Sequence, residues 1–467
     1  MTAHGGLMRK TTTALTGLTG LLLPVAAVGA LSVMAPAQAA GETCDGRAAT
    51  IVVTANPGSY RTDPVVGTPG DDVIVGTEFF DTIDGAGGND IICGFGGEDH
   101  LIGGAGDDRL FGGLDRNYEY DDSPYVGDLL VPGPGNDHVD LGVDLDSLRL
   151  CDCYTYMTPD RVSYADSATG VKVNLATGLA AGEGHDTIVG DGHFGVIGSA
   201  FDDHLIGTDG PNDIEAGAGA DRVDAGGGDN WVYVDAPPTR RELNGTALDG
   251  TPPVDSGDIL DAGDGLDHIS FAGGDVINAG AGNDVVHGES NARGSVHGGN
   301  GRDEIYVTGT GSMAVRGGAG KDRINATYTR QGRYVLDGGS GRDNMYVRIA
   351  PGVPAGRITI DLPRRRISVA GHKPSVRLSG VESLAVLGQG RKTSGLTFIG
   401  SNRVDTFAAW RVAFSVRAYG RGGNDNLSGG YGKDLLDGGS GRDTLDGSRG
   451  RDRCVNGEKT TGCEVRR

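Results

Sequence analysis

A nine-residue frame, Gly-Gly-x-Gly-x-Asp-x-apolar-x, constrains this chain more than any other feature. It is clearest as GGAGDDRLF from Gly103 and GGSGRDTLD from Gly438. Gly67, Gly76, Gly85, Gly94, Gly103 and Gly112 open the first block at steps of nine, and Gly420, Gly429, Gly438 and Gly447 open the last at the same step. Glycines at positions one, two and four let the chain adopt positive φ and turn sharply. Positions seven to nine read as a short strand whose alternation points position eight inward. In the first block position six is Asp72, Asp81, Asp90, Asp99 and Asp108, and position eight is Ile74, Ile83, Ile92, Leu101 and Leu110. Position four departs from Gly once, at Phe79.

A coil of two such strands consumes two repeats, or 18 residues, so Asp72, Asp90 and Asp108 stack on one edge and Asp81 and Asp99 on the other. Stacked coils lie about 4.8 Å apart. Bare carboxylates at that spacing repel. A cation between successive turns makes the stack cohesive, and an all-oxygen ligand set selects calcium. A metal-free glycine-rich solenoid with solvated turns is the alternative, but ordinary solenoids do not need Asp at a fixed step.

Composition supports this economy. Gly supplies 85 of 467 residues, about two and a half times its usual share of roughly 7%. Aromatics are 6%, so a large globular core is not expected. Burial alone then offsets conformational entropy poorly, and a bound cation is the natural further source of folding energy. The net charge is −22, which about eleven divalent cations would cancel. Residues 350–467 run against this trend, with 20 Lys+Arg and 11 Asp+Glu. The acidic remainder should repel nucleic acid and anionic membrane.

The sequence divides into seven parts. Residues 1–39 read as a signal peptide: Arg9 and Lys10, an apolar run from Leu15 to Val33, and Ala37-Gln38-Ala39 before a cut at Ala40. No twin-Arg pair occurs, so general secretion is expected, and no later segment is apolar enough to span a bilayer. A lead-in covers 40–66, the first repeat block 67–113, and an insertion 114–180 with an isolated repeat ending in Asp137. A degenerate block, 181–349, carries Asp186, Asp203, Asp221, Asp267, Asp284, Asp303, Asp322 and Asp343, with Asn212 and Asn230 where Asp is expected. Residues 350–419 form a basic, strand-rich connector without the frame. The last block and a Cys-closed tail, 420–467, carry Asp425, Asp434, Asp443 and Asp452. RITIDLPRR from Arg357 echoes GVKVNLATG from Gly170, and IGSNRVDTF from Ile399 echoes IGSAFDDHL from Ile197, which marks an internal duplication.

Six cysteines in an exported chain suggest disulfides, with Cys44–Cys93 and Cys454–Cys463 as the natural pairs. Cys151 and Cys153 form a C-x-C pair without the partners of a zinc site.

The frame resembles the RTX, or hemolysin-type, calcium-binding repeat. The resemblance covers the three repeat blocks and is closest to the secreted, repeat-only type of actinobacteria. It implies an all-β, right-handed parallel β-roll or β-helix solenoid. Calcium would sit between adjacent turns, on main-chain carbonyls and the position-six Asp. Carried over position by position, this implicates the eighteen Asp residues named above, and excludes Asn212 and Asn230.

No catalytic motif accompanies the repeats. No His is followed by Glu, so H-E-x-x-H is absent. Ser340 and Ser440 lack the final Gly of a nucleophile elbow, which is Arg342 or Arg442. Acidic pairs such as Asp121-Asp122 and Asp202-Asp203 point apart on a strand and make a poor glycosidase dyad. The reading is a secreted, non-enzymatic calcium-binding protein. The alternatives are a surface adhesin or matrix component that binds anionic cell-wall or extracellular polysaccharide through 350–419, and a polysaccharide-modifying enzyme.

Overall fold

The structure is a computed structural model that describes residues 42–56, 60–115, 127–144, 159–191, 193–235, 257–289, 292–308, 311–328, 333–350, 357–370, 376–388 and 395–466. The expected leader, the Cys151/Cys153 pair and the Asp121-Asp122 pair lie outside the described residues.

Every strand is two to eight residues long, and no helix occurs among the described residues. Consecutive strands alternate between two long ladders. Strand Val73–Val75 therefore pairs in parallel with Ile91–Gly96, not with the intervening Thr82–Asp84, which pairs with His100–Ile102. Ile74 lies opposite Ile92, and Ile83 opposite Leu101. One coil is thus two repeats, and the two ladders face each other as the walls of a flat parallel β-roll.

The inward position is filled as the two-residue alternation requires. Ile74, Ile83, Ile92, Leu101 and Leu110 are each 0% exposed and belong to one apolar cluster that runs through both ladders to Leu445 and Cys454. Each such side chain contributes about 1.5–3 kcal/mol. With one inward residue per short strand, the turns must supply cohesion as well.

The alternation is interrupted twice, in the same manner. Lys172–Asn174, Leu179–Ala181 and His185–Asp191 form an antiparallel meander inserted in the first ladder, between His138–Asp144 and His204–Thr208. Arg357–Asp361, Arg366–Val369 and Val376–Ser379 form its counterpart, between Tyr334–Gly341 and Gly395–Ile399. Opposite each meander the second ladder continues unbroken, Asp160–Ser163 onto Phe194–Ile197 and Asn344–Ile349 onto Ser383–Gly388. The echoed sequences are therefore the same supersecondary element used twice.

Both ends are capped. The hairpin Thr43–Cys44/Arg47–Ala48 is tied to strand Ile91–Gly96 by the Cys44–Cys93 disulfide, and Cys454–Cys463 closes the other end.

Candidate metal centres along the turn edges

The position-six side chains form two hydrogen-bonded columns, one at each edge of the roll. In each column the main-chain N–H of one carboxylate residue donates to Oδ1 of the carboxylate one coil later. On one edge Asp72 donates to Asp90 at 2.8 Å, Asp90 to Asp108 at 2.8 Å, Asp108 to Asp137 at 2.7 Å and Asp137 to Asp186 at 3.0 Å. After the first meander Asp203 donates to Asp221, Asp221 to Asp258 and Asp258 to Asp275. On the other edge Asp81 donates to Asp99, Asp99 to Asp128 and Asp128 to Asp160. Further along, Asp267, Asp284, Asp303, Asp322 and Asp343 follow in succession. Asp405 leads to Asp425 and Asp443, and Asp434 to Asp452.

The columns have matched ends. The Thr50 and Thr62 hydroxyls donate to Asp72 and Asp81 where no earlier coil exists. Glu458 and Glu464 accept from Asp443 and Asp452 where no later repeat exists. All eighteen Asp residues singled out in the sequence lie in the columns. So do Asp128, Asp160, Asp258, Asp275 and Asp405, which sequence reasoning passed over, and Glu382 accepts from Asp343 within the basic connector. Their signal was the remnant Asp-x-apolar, as in Asp128-Leu129-Leu130 and Asp405-Thr406-Phe407, left after the glycines had gone.

The second carboxylate oxygen separates two kinds of turn. Where position two is Thr68, Thr77, Ser199 or Ser401 the turn satisfies it internally, whereas Ser448, left-handed at φ 68°, leaves Asp452 Oδ2 without a partner. Thr68 donates to Asp72 Oδ2 through its N–H at 2.7 Å and its hydroxyl at 2.8 Å, and Thr77 does the same for Asp81. The Ser199 and Ser401 N–H groups serve Asp203 and Asp405, Gly430 N–H serves Asp434, and Tyr164 hydroxyl serves Asp186. The Thr68 N–H holds the Asp72 carboxyl below its ordinary value.

In the glycine turns this oxygen is buried with no hydrogen-bond partner. That is true of Oδ2 in Asp90, Asp108, Asp137, Asp221, Asp267, Asp284, Asp303, Asp322, Asp343, Asp425, Asp443 and Asp452. Burial pushes the Asp137 and Asp221 carboxyls up to about 8, Asp284 to about 7, and Asp108, Asp267, Asp322, Asp343 and Asp425 to about 6. An orphaned, buried acceptor is costly unless a proton or a cation meets it.

In eight of these turns position one is glycine, and it shows what the orphan faces. A Cβ on Gly298 would lie 2.5 Å from Asp303 Oδ2 and 2.5 Å from the carbonyl oxygen of Gly317, the position-one residue one coil on. On Gly103 it would lie 2.6 Å from Asp108 Oδ2 and 2.5 Å from the Pro132 carbonyl. Two acceptors thus converge on the space that glycine leaves open. The left-handed residues sit instead at positions two and four, as at Gly104 (φ 98°) and Gly106 (φ 145°), and position two tolerates Ala86 and Phe95 there. Position one was expected to need glycine for its backbone freedom, but no position-one glycine is left-handed, and Ala216, Ala225, Ala262 and Ala279 take the position in four turns.

Asn212 and Asn230 identify the missing partner. Asn212 Nδ2 donates to the position-four carbonyl of its own turn, Gly210, at 2.6 Å, and to the position-one carbonyl of the next coil, Ala225, at 3.0 Å. Asn230 Nδ2 does the same to Gly228 at 3.0 Å and Ala262 at 3.1 Å. Where the side chain carries a donor, it spans the two carbonyls. Where it carries an acceptor, those oxygens and Oδ2 call for a proton or a cation. The donors are hard oxygens throughout, which suits calcium.

These features define a parallel β-roll whose turns present convergent carboxylate and carbonyl oxygens coil after coil. The family model of the RTX calcium-binding nonapeptide repeat (4 copies) matches residues 66–99, 96–118, 197–232, 269–292 and 419–454, so these stretches are RTX calcium-binding repeats. No curated protein matches the chain.

Proposed function

We propose that this chain is a secreted, non-enzymatic protein whose β-roll folds on meeting extracellular calcium. The observation that carries the reading is the buried Oδ2 without a partner in twelve of the eighteen Asp turns read from the sequence, in eight of which a turn carbonyl flanks the same position-one glycine. The twelve named turns are the ones that would hold calcium. Asp72, Asp81, Asp186, Asp203 and Asp434, whose second oxygen already accepts a hydrogen bond, would serve as metal-independent rungs. Export is supported by the two disulfides, which persist in oxidising compartments, and by the leader read from residues 1–39. No helix among the described residues is long and apolar enough to cross a membrane. Circular dichroism in EDTA and in millimolar calcium tests the reading. A gain of strand signal and of melting temperature on adding calcium is expected; identical spectra and melting would refute it.

A second role, binding of anionic polysaccharide, is favoured by one observation. A cleft of about 960 Å³ beside the second meander is lined by Lys321, Arg342, Arg365 and Arg403 around Asp343 and Asp405. Retention on cell-wall polymers that falls with salt would support it, and retention unaffected by the Arg365→Ala and Arg403→Ala substitutions would count against it.

A further inference from the structure

One carboxylate of the roll stands outside both columns. Asp235 follows strand Trp231–Tyr233, at position two of a turn, where the repeat has glycine. It is buried, and its Oδ2 accepts the N–H of Ala272 at 2.6 Å and of Gly273 at 3.2 Å. Those two residues belong to the turn that leads into Asp275. That turn is itself irregular. Phe271, 1% exposed, fills position one, and only four residues, not five, separate the preceding strand's Ser270 from Asp275.

Asp258 and Asp275 are neighbouring rungs, since Ile259 pairs with Val276 and Asp258 N–H donates to Asp275 Oδ1 at 3.1 Å. The next rung, opposite Asp275 in the pairing of Val276 with Ser295, is Gly294, so the column ends at Asp275. At that end three carboxylates meet. One oxygen each from Asp235, Asp258 and Asp275 lies within 4.8 Å of the others, the only such group of three metal-ligating side chains among the described residues. All three side chains are buried, and Asp275 Oδ2 has no hydrogen-bond partner at 0% exposure. Burial first, and Asp235 next, push the Asp275 carboxyl up to about 7.

We propose that Asp235, Asp258 and Asp275 form a dedicated three-carboxylate site for one calcium-class divalent cation, distinct in make-up from the glycine-turn sites. A glycine turn offers one carboxylate and main-chain carbonyls. Here bulky position-one residues, Val234 and Phe271, fill the glycine space, and a side-chain carboxylate from the neighbouring coil takes over as ligand. Three buried anions around one point bind a hard dication more strongly than one carboxylate does, because ligand charge count sets affinity. The site therefore fills first and empties last. It also closes the roll where one column stops and a new stretch, without Asp on that edge, begins at Gly294.

The test is a calcium titration of the full chain, by calorimetry in competition with a chelator, comparing parent with Asp235→Asn. Asp235 lies outside the columns, so the turn sites are left intact. The expected result is one ion fewer per chain, lost from the tightest class. An unchanged count with the tightest class intact overturns the proposal while leaving calcium binding by the repeats standing. A parent that binds no calcium overturns both readings. Should Asp235→Asn fail to fold, long-wavelength anomalous diffraction from calcium-soaked crystals of the parent decides: a peak among the three carboxylates supports the site, and its absence beside occupied glycine turns refutes it.

Discussion

Asp322→Asn should make the metal-free protein clearly more stable than the parent, and calcium should remove most of that gain. In the parent, Asp322 Oδ2 is buried without a partner, and a Cβ on Gly317 would lie 2.5 Å from the Gly338 carbonyl. Burial raises the Asp322 carboxyl from 3.8 to about 6. Holding it ionised at pH 7.5 costs up to about 3 kcal/mol, at about 1.4 kcal/mol for each tenfold change in proton affinity. Solvent screening at the turn edge reduces this to about 1.5 kcal/mol. The new amide would donate to the Gly320 and Gly338 carbonyls, as Asn212 does to Gly210 and Ala225, adding about 1 kcal/mol for each hydrogen bond. The expected gain in EDTA is thus about 3.5 kcal/mol, local to this coil because solenoid stability is carried by nearest neighbours. In calcium at a hundredfold excess over its dissociation constant, the parent gains about 2.7 kcal/mol from the ion that the variant cannot hold. Hydrogen exchange of the strands Met313–Gly320 and Arg323–Tyr328 measures both arms, and calorimetry should show one ion fewer. Faster exchange of the variant in EDTA, or an unchanged ion count, would refute the reasoning.

Three further outcomes follow from the same geometry. In EDTA, stability should fall as pH rises from about 4 through 8. The raised carboxyls, from Asp322 at about 6 to Asp137 at about 8, bind more protons folded than unfolded, so their contribution is complete below the unfolded value and is lost through the folded one. Calcium should reverse the trend, because protons compete for the same oxygens; melting curves at pH 5 and pH 8 with and without calcium decide this. Gly103→Ala should cost about 1–3 kcal/mol and weaken the adjacent site, since its Cβ would lie 2.6 Å from Asp108 Oδ2 and 2.5 Å from the Pro132 carbonyl; an unaltered melting temperature in calcium would contradict it. Reduction of Cys454–Cys463 should destabilise the C-terminal coils by about 2–4 kcal/mol, seen as faster hydrogen exchange in Thr444–Asp446 but not in Arg109–Asp115.

The regular parts of this fold were legible because local and global signals coincide in them. Asp72, Ile74 and Gly67 each stand in the structure where the frame puts them, as a stacked turn carboxylate, an inward strand residue and a turn opener, and the 18-residue register follows from the frame alone. The meanders were visible only as echoes, since Lys172–Asn174 and Arg357–Asp361 carry no turn frame and their pairing is non-local. Asp128, Asp160 and Asp405 were passed over because the search required glycines, whereas the column requires only an Asp before an inward apolar residue. The division between satisfied and orphaned carboxylates was written only in part at position two, in Thr68, Thr77, Ser199 and Ser401, since Ser448 precedes the orphaned Asp452 and Gly430 the satisfied Asp434. Asp235 had no signal at all: a carboxylate at position two becomes a ligand candidate only because the next coil is shortened.

The central claim is that calcium occupies the space where an orphaned Oδ2 meets a position-one carbonyl, and that an Asn amide substitutes for it. Anomalous diffraction near the calcium edge from crystals grown in calcium tests this directly. The account predicts peaks beside Asp90, Asp108, Asp303 and Asp322 and none beside Asn212 and Asn230. Equal peaks at the Asn turns, or none at the Asp turns, would contradict it.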